Sequence, residues 1–223
     1  MCGRFVLDID NQFYPRFRIK EAVYGIKPRF NIAPSQEVPV ITNNNGKNEL
    51  VIMQWGLVPF WAKDSSIGSK MINARSETID EKPSFKKAFR SQRCLVPATG
   101  FYEWKTEGGK KIPHYVHLKK EKYFAMAGIY DRWKGHDDES ITTFTIITTE
   151  PNEIVAKLHH RMPAVLEKED EQTWLQEEDG PKLKKLLTPF RGNMEEYAVT
   201  TDVNNPENDT RGLTEPTQQT LFS

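Results

Sequence analysis

Apolar residues along this chain gather in short runs separated by Gly, Pro, Asn and charged residues, a pattern of many strands rather than long helices. Phe5-Val6-Leu7 reads as a first strand. Asp8 to Gly25 mixes aromatic and charged residues without clean periodicity, as helix or loop. Arg29 to Pro34 leads into Val38-Pro39-Val40-Ile41-Thr42, and Asn43-Asn44-Asn45-Gly46 then turns the chain back into Leu50-Val51-Ile52-Met53. An Asn-Gly pair between two β-rich runs is the strongest short-range hairpin signal. Further strands are expected at Cys94-Leu95-Val96-Pro97, Gly100 to Trp104, Ile112 to Leu118, Phe124 to Tyr130, Thr142 to Thr149 and Tyr197-Ala198-Val199, with Gly108-Gly109 as a turn. Phe85 and Phe89 lie four apart behind Pro83, as in an amphipathic helix opened by proline. From Asn152 the pattern turns helical, with Ile154, Val155 and Leu158 on one face, then Trp174-Leu175 and Leu183, Leu186 and Leu187. Strands with hairpin signals and clustered helices predict a single α+β domain, mainly antiparallel sheet in a barrel-like core with flanking helices. It is expected to span 1–210, leaving the polar segment 211–223 as a disordered tail.

The 223 residues suit one domain with a full core. Lys+Arg 31 balances Asp+Glu 31, so the net charge of +0 supplies no whole-molecule attraction to nucleic acid. Any such binding needs a local patch. Lys82, Lys86, Lys87, Arg90 and Arg93 form a basic run, while 167–179 is mostly acidic. The two cysteines, Cys2 and Cys94, have neither disulfide nor zinc-like spacing, and Cys94 reads as a buried apolar residue. No apolar run approaches a membrane span and no signal peptide opens the chain, so a cytoplasmic, reducing setting is expected.

The chain begins Met1-Cys2-Gly3-Arg4. Removal of Met1 would give Cys2 a free α-amine beside its thiol, each about a tenth deprotonated near neutrality, and local positive charge would raise the thiolate fraction. A 1,2-aminothiol condenses with an aldehyde to an imine and then closes to a thiazolidine. The ring-opened sugar of an abasic nucleotide is such an aldehyde. Trp55 to Trp61 is a Gly- and Pro-rich stretch with two tryptophans, which either fill the core or offer a stacking platform for bases. Glu103 lies among apolar residues, where burial would raise its pKa and suit it to proton transfer. Asn73 offers an amide that both donates and accepts. Arg4, Arg75 and Arg161 flank the candidates Cys2, Asn73 and His159, and guanidinium forks match phosphate oxygens. Thr149 is a further phosphate candidate. His159 and His160 are adjacent and cannot face the same way on a helix or strand, so at most one does chemistry. The same rule sends His114 and His117 to opposite faces of their strand. No metal and no cofactor are expected.

Cys2-Gly3-Arg4, Trp55-Gly56-Leu57-Val58-Pro59, 73–78, Gly100-Phe101-Tyr102-Glu103-Trp104 and His159-His160-Arg161-Met162-Pro163 together resemble the SOS-response-associated peptidase (SRAP) family of abasic-site processing proteins. The resemblance runs from the first residue to about Asn208-Asp209. It implies covalent capture of abasic sites in single-stranded DNA by Cys2, with Glu103 shuttling protons. It also implies that His159, the first position of the His-x-Arg-Met-Pro pattern, protonates the sugar ring oxygen. His160 stands where many relatives carry an acid. The expected partner is abasic single-stranded DNA, without membrane contact, and the expected state is a monomer. Two other readings share the residues: a thiol autopeptidase with Cys2 as nucleophile, and a non-covalent single-strand binding module using Trp55, Trp61 and the arginines.

Overall fold

The computed structural model describes residues 2–21, Val23, 25–135 and 140–217. In chain order they form β1 (Phe5–Leu7), a short α1 (Phe13–Arg16), β2 (Arg29–Ile32), β3 (Glu37–Asn44), β4 (Lys47–Trp55) and β5 (Asn73–Arg75). Then come α2 (Pro83–Ser91), β6 (Arg93–Ala98), β7 (Gly100–Glu107), β8 (Lys110–Leu118), β9 (Phe124–Lys134) and β10 (Ser140–Thr149). The last elements are β11 (Met162–Pro163), β12 (Val165–Leu166), α3 (Glu171–Gln176), α4 (Gly180–Leu186) and β13 (Met194–Ala198).

Strands β10, β4, β3, β6 and β9 pair in that order, and β9 pairs back onto β10, so they close a barrel. Only the β10–β4 contact within the ring is parallel. Closure leaves these five strands without a free edge. Asn45 and Gly46, both at positive φ, turn β3 into β4, the backbone that a two-residue hairpin of matching twist requires. A second sheet runs β13-β8-β7-β1-β2. Alternation along β1 gives that sheet two working faces: Phe5 and Leu7, with Phe101 and Val116, join the main core, while Val6 lies with Tyr102, Tyr115, Val199, Val203 and Leu213 on the other side. The α+β class with mainly antiparallel sheet is therefore as expected. No helix among the described residues is long and apolar enough to cross a membrane.

One local expectation is met and two are corrected. Asp8 to Gly25, expected as helix or loop, has among its described residues the single helical turn α1 in otherwise irregular chain, which seats Phe13 and Phe17 in the core. Of the helical pattern from Asn152, Trp174-Leu175 and Leu183 with Leu186 do lie in α3 and α4, but the face of Ile154, Val155 and Leu158 reduces to one 3₁₀ turn, Val155–Lys157, because the chain then pairs with β10 at Thr148↔Pro163 and Thr149↔Met162. The apolar spacing was genuine, but sheet pairing overrides it. Finally, 211–217 is folded. Arg211–Thr214 forms a 3₁₀ turn, Leu213 is buried, the Tyr197 hydroxyl donates to the Thr214 carbonyl at 2.8 Å, and Thr217 N–H donates to the Ala198 carbonyl at 2.9 Å. One leucine and the pairing positions beside β13 suffice to hold a segment whose composition is otherwise polar. The remainder of the expected tail, 218–223, lies outside the described residues.

Candidate active site

The segment before β1 enters between the two sheets, and β1 pairs with β7 at Phe5↔Phe101 and Val6↔Gly100. Carried two residues further, this register sets Gly3 opposite Glu103, on the face that Phe5 and Phe101 share. Cys2 is fully buried beside them. From the barrel side β5 pairs in parallel with β10, Asn73 opposite Ile146, and the Asn73 side-chain amide donates to the Cys2 carbonyl at 2.8 Å. The Asn73 Oδ1 is buried without a hydrogen-bond partner among the described residues. A buried acceptor left in this state is poised for a donor that arrives with a ligand.

Electrostatics correct one expectation. Burial, reinforced by the facing Glu103 carboxylate, pushes the Cys2 thiol up to about 12, so the resting sulfur is protonated rather than thiolate. The positive amino terminus and the Arg4 backbone N–H pull the other way and lose. Glu103 behaves as its surroundings suggested: burial raises its carboxyl to about 7, even against the charge of the amino terminus. It therefore exchanges protons in the neutral range, which a solvent-exposed carboxylate does not.

His159 lies in the irregular segment between β10 and β11. Its ring is partly buried, and burial followed by the positive amino terminus lowers its pKa. His160 does not point away. The two residues lie in neither helix nor strand, and their rings stack with centroids 4.2 Å apart and planes at 26°.

The arginines do not form one patch. Arg4 points to the opposite face of β1 from Phe5, where its guanidinium donates to Asn31 Oδ1 and the Val203 carbonyl, each at 2.8 Å. Arg161 is buried and held by both oxygens of Glu77 and by the Thr148 carbonyl at 2.6 Å. Glu77 was not singled out from the sequence, although it lies inside the 73–78 motif. Arg75, two residues past Asn73 on β5, is exposed. Thr149 is buried at the end of β10.

The two tryptophans divide in the same way. Trp55 is wholly buried between Phe5 and Phe144, and its indole N–H donates to the Ile72 carbonyl at 2.9 Å. It has no face to offer a base, which corrects its candidacy. Trp61 is 48% exposed beside Phe60 at 50%, and the Lys87 ammonium sits 3.8 Å over the Phe60 ring. Gly56, at φ +127, lets this loop leave β4: a Cβ there would meet the Gly68 carbonyl oxygen at 2.7 Å. Lys86, Lys87 and Arg90 of α2 line a cavity of about 450 Å³ with Phe60 and Trp61. His114 Nδ1 hydrogen-bonds Glu196 Oε2 at 2.6 Å, and Cys94 is buried.

Cys2 with the Asn73 amide on its carbonyl, and the Glu103 carboxyl raised to about 7, lie on segments that one family shares. The SOS response associated peptidase (SRAP) family matches residues 1–206, and the chain belongs to it. It is 45% identical to the abasic site processing protein YoqW of Bacillus subtilis over 96% of this chain and 99% of that protein. It is 33% identical to the chicken abasic site processing protein HMCES, over 82% of this chain and 65% of that one. Among solved structures, a Bacteroides thetaiotaomicron protein superposes with a TM-score of 0.88 at 32% identity, covering 96% of this chain and 99% of that one.

Proposed function

We propose that this protein captures abasic sites in single-stranded DNA by forming a thiazolidine on Cys2 once Met1 has been removed. The observation that carries the reading is the junction of the Cys2 main chain with Asn73 and Glu103: a hydrogen bond from the Asn73 amide to the Cys2 carbonyl, and a neutral thiol facing a carboxyl poised at about 7. The names of the relatives point to the same substrate.

In the proposed reaction the Cys2 amine adds to C1′ of the ring-opened sugar, and the carbinolamine loses one water to give an imine. Sulfur then bonds to C1′, the C=N π pair moves to nitrogen, and the thiol proton passes to that nitrogen, directly or by way of Glu103. His159 accepts the Arg161 backbone N–H at Nδ1 over 3.0 Å, so its neutral ring carries the proton on Nε2 and donates a hydrogen bond to the sugar ring oxygen, which the imidazolium form protonates. The orphan Asn73 Oδ1 orients the amine or a sugar hydroxyl. Arg75 and the exposed Trp61 contact the phosphate and bases of the flanking strand.

The autopeptidase reading asks for an activated thiolate, and a thiol at about 12 beside a carboxyl group is poor ground for one. The test is intact-mass analysis after incubation with an abasic oligonucleotide. The expected product lacks Met1, survives denaturation and weighs the sum of protein and DNA less one water. Cys2→Ser should yield only an imine trappable by borohydride. A heat-stable adduct from Cys2→Ser, or from protein retaining Met1, would refute the mechanism.

A further inference from the structure

His160 has no part in the reaction just described, yet it sits against His159 in a way that neighbouring residues of a helix or strand cannot. The chain from Leu158 to Arg161 is irregular, which brings the imidazoles face to face at 4.2 Å. His160 is exposed while His159 is partly buried. Two stacked imidazoles cannot both take a proton cheaply, because the second charge would lie within about 4 Å of the first.

His159 is held neutral by other contacts as well. The Arg161 N–H occupies Nδ1, so a second proton on that nitrogen would have to displace a hydrogen bond. The charged groups around His159 are the amino terminus from before β1, Arg161, itself ion-paired to Glu77, and His160. His160 is exposed and held against His159 by stacking, and hence is the position at which charge can be changed without disturbing the others.

We propose that position 160 is a positioning site: the charge of the side chain stacked on His159 sets the pH range over which His159 carries a second proton. The inference rests on His159 acting at the sugar, as above, but the electrostatic claim stands apart from the substrate. Acid catalysis of ring opening needs imidazolium, whereas a neutral Nε2–H only donates a hydrogen bond. Capture limited by ring opening should therefore accelerate as pH falls through the His159 midpoint, and the charge at position 160 fixes where that occurs.

The experiment is a series at one position, His160→Lys, His160→Gln and His160→Asp, read by NMR titration of the His159 ring in the DNA-free protein. A unit charge at this separation, screened as in water, moves the midpoint by about 0.7 in pH. The expected order is Lys lowest, Gln intermediate and Asp highest. A stacking role alone predicts one common midpoint for these three non-aromatic variants, and that result would overturn the proposal. The pH limb of cross-linking to an abasic oligonucleotide is then measured on the same variants. A limb that follows the NMR order supports both readings. An ordered NMR series with an unmoved limb sustains the tuning of His159 but overturns its placement in the reaction.

Discussion

Glu103→Gln separates the energetic cost of this site from its chemistry. The Glu103 carboxyl is raised by burial from 4.5 to about 7 in the folded protein, so the native state binds its proton more tightly than the unfolded chain does. A group of this kind adds stability that is fully present below about pH 4.5 and lost as pH rises through 7. The difference, 7 less 4.5, corresponds to about 3 kcal/mol at 1.36 kcal/mol per pH unit. Glutamine keeps the shape and never ionises. The variant should therefore match the wild type near pH 4 and exceed it by about 3 kcal/mol at pH 8, roughly 6 to 12 °C in Tm for a domain of this size. Other shifted carboxyls, among them Asp10, Glu77 and Asp80, titrate alike in both proteins and cancel in the difference. The assay is urea unfolding of both proteins at half-unit steps from pH 4 to 8, with cross-linking measured alongside. Capture should slow by about 10² to 10⁴ if the carboxyl moves protons. A difference curve that is flat across this range would show that Glu103 is not held in its neutral form, and the reasoning would fail with it.

The remaining expectations concern side chains the structure reassigns. Arg161→Ala should destabilise the fold by about 1 to 3 kcal/mol, because it strands Glu77 and the Thr148 carbonyl, whereas Arg75→Ala should leave unfolding unchanged and lower the log-log salt slope of single-strand binding by about 0.7. Equal unfolding midpoints for the two variants would refute this division. Trp61→Ala should cost about 1 to 3 kcal/mol in single-strand affinity with stability kept. Trp55→Ala should instead cost about 3 to 5 kcal/mol of stability, and a stable Trp55→Ala variant would contradict the burial of that ring. Leu213→Ala should destabilise by about 2 to 5 kcal/mol, read by thermal melting; no change would mean that 211–217 adds nothing to the core.

What could be read from the sequence depended on the range of the interaction. The Asn45-Gly46 hairpin, the α2 face carried by Phe85 and Phe89, and the strand at Phe5–Leu7 are local patterns, and all three stand in the structure. The approach of Asn73 to Cys2 followed from motif order through the family resemblance, because no local rule joins residues 71 apart. The arginines failed for a parity reason. Whether Arg4 faces the site or the opposite cluster depends on β1 register, and composition carries no register. Trp55 and Trp61 are equivalent as residue types, but one ends β4 inside the core and the other stands beyond Pro59 in solvent. The Arg161 to Glu77 pair spans 84 positions, and only the folded chain reveals that this guanidinium is already occupied.

The electrostatics of the pocket also order the proposed chemistry. A thiol at about 12 is a weak nucleophile at neutral pH, so sulfur cannot lead. The α-amine, with an ordinary value of about 7.7 to 8.0, supplies free base at that pH and attacks first. The imine then places an electrophilic carbon within reach of a thiol on the same residue, where proximity replaces acidity as the driving factor. Glu103 serves both halves from one position. Protonated, it aids loss of water from the carbinolamine; ionised, it takes the thiol proton as the carbon–sulfur bond forms. A carboxyl at its usual 4.5 would be too weak a base for the second step and too rarely protonated for the first. The burial that depresses thiolate is thus the same burial that makes Glu103 useful, and one apolar setting beside β1 accounts for both.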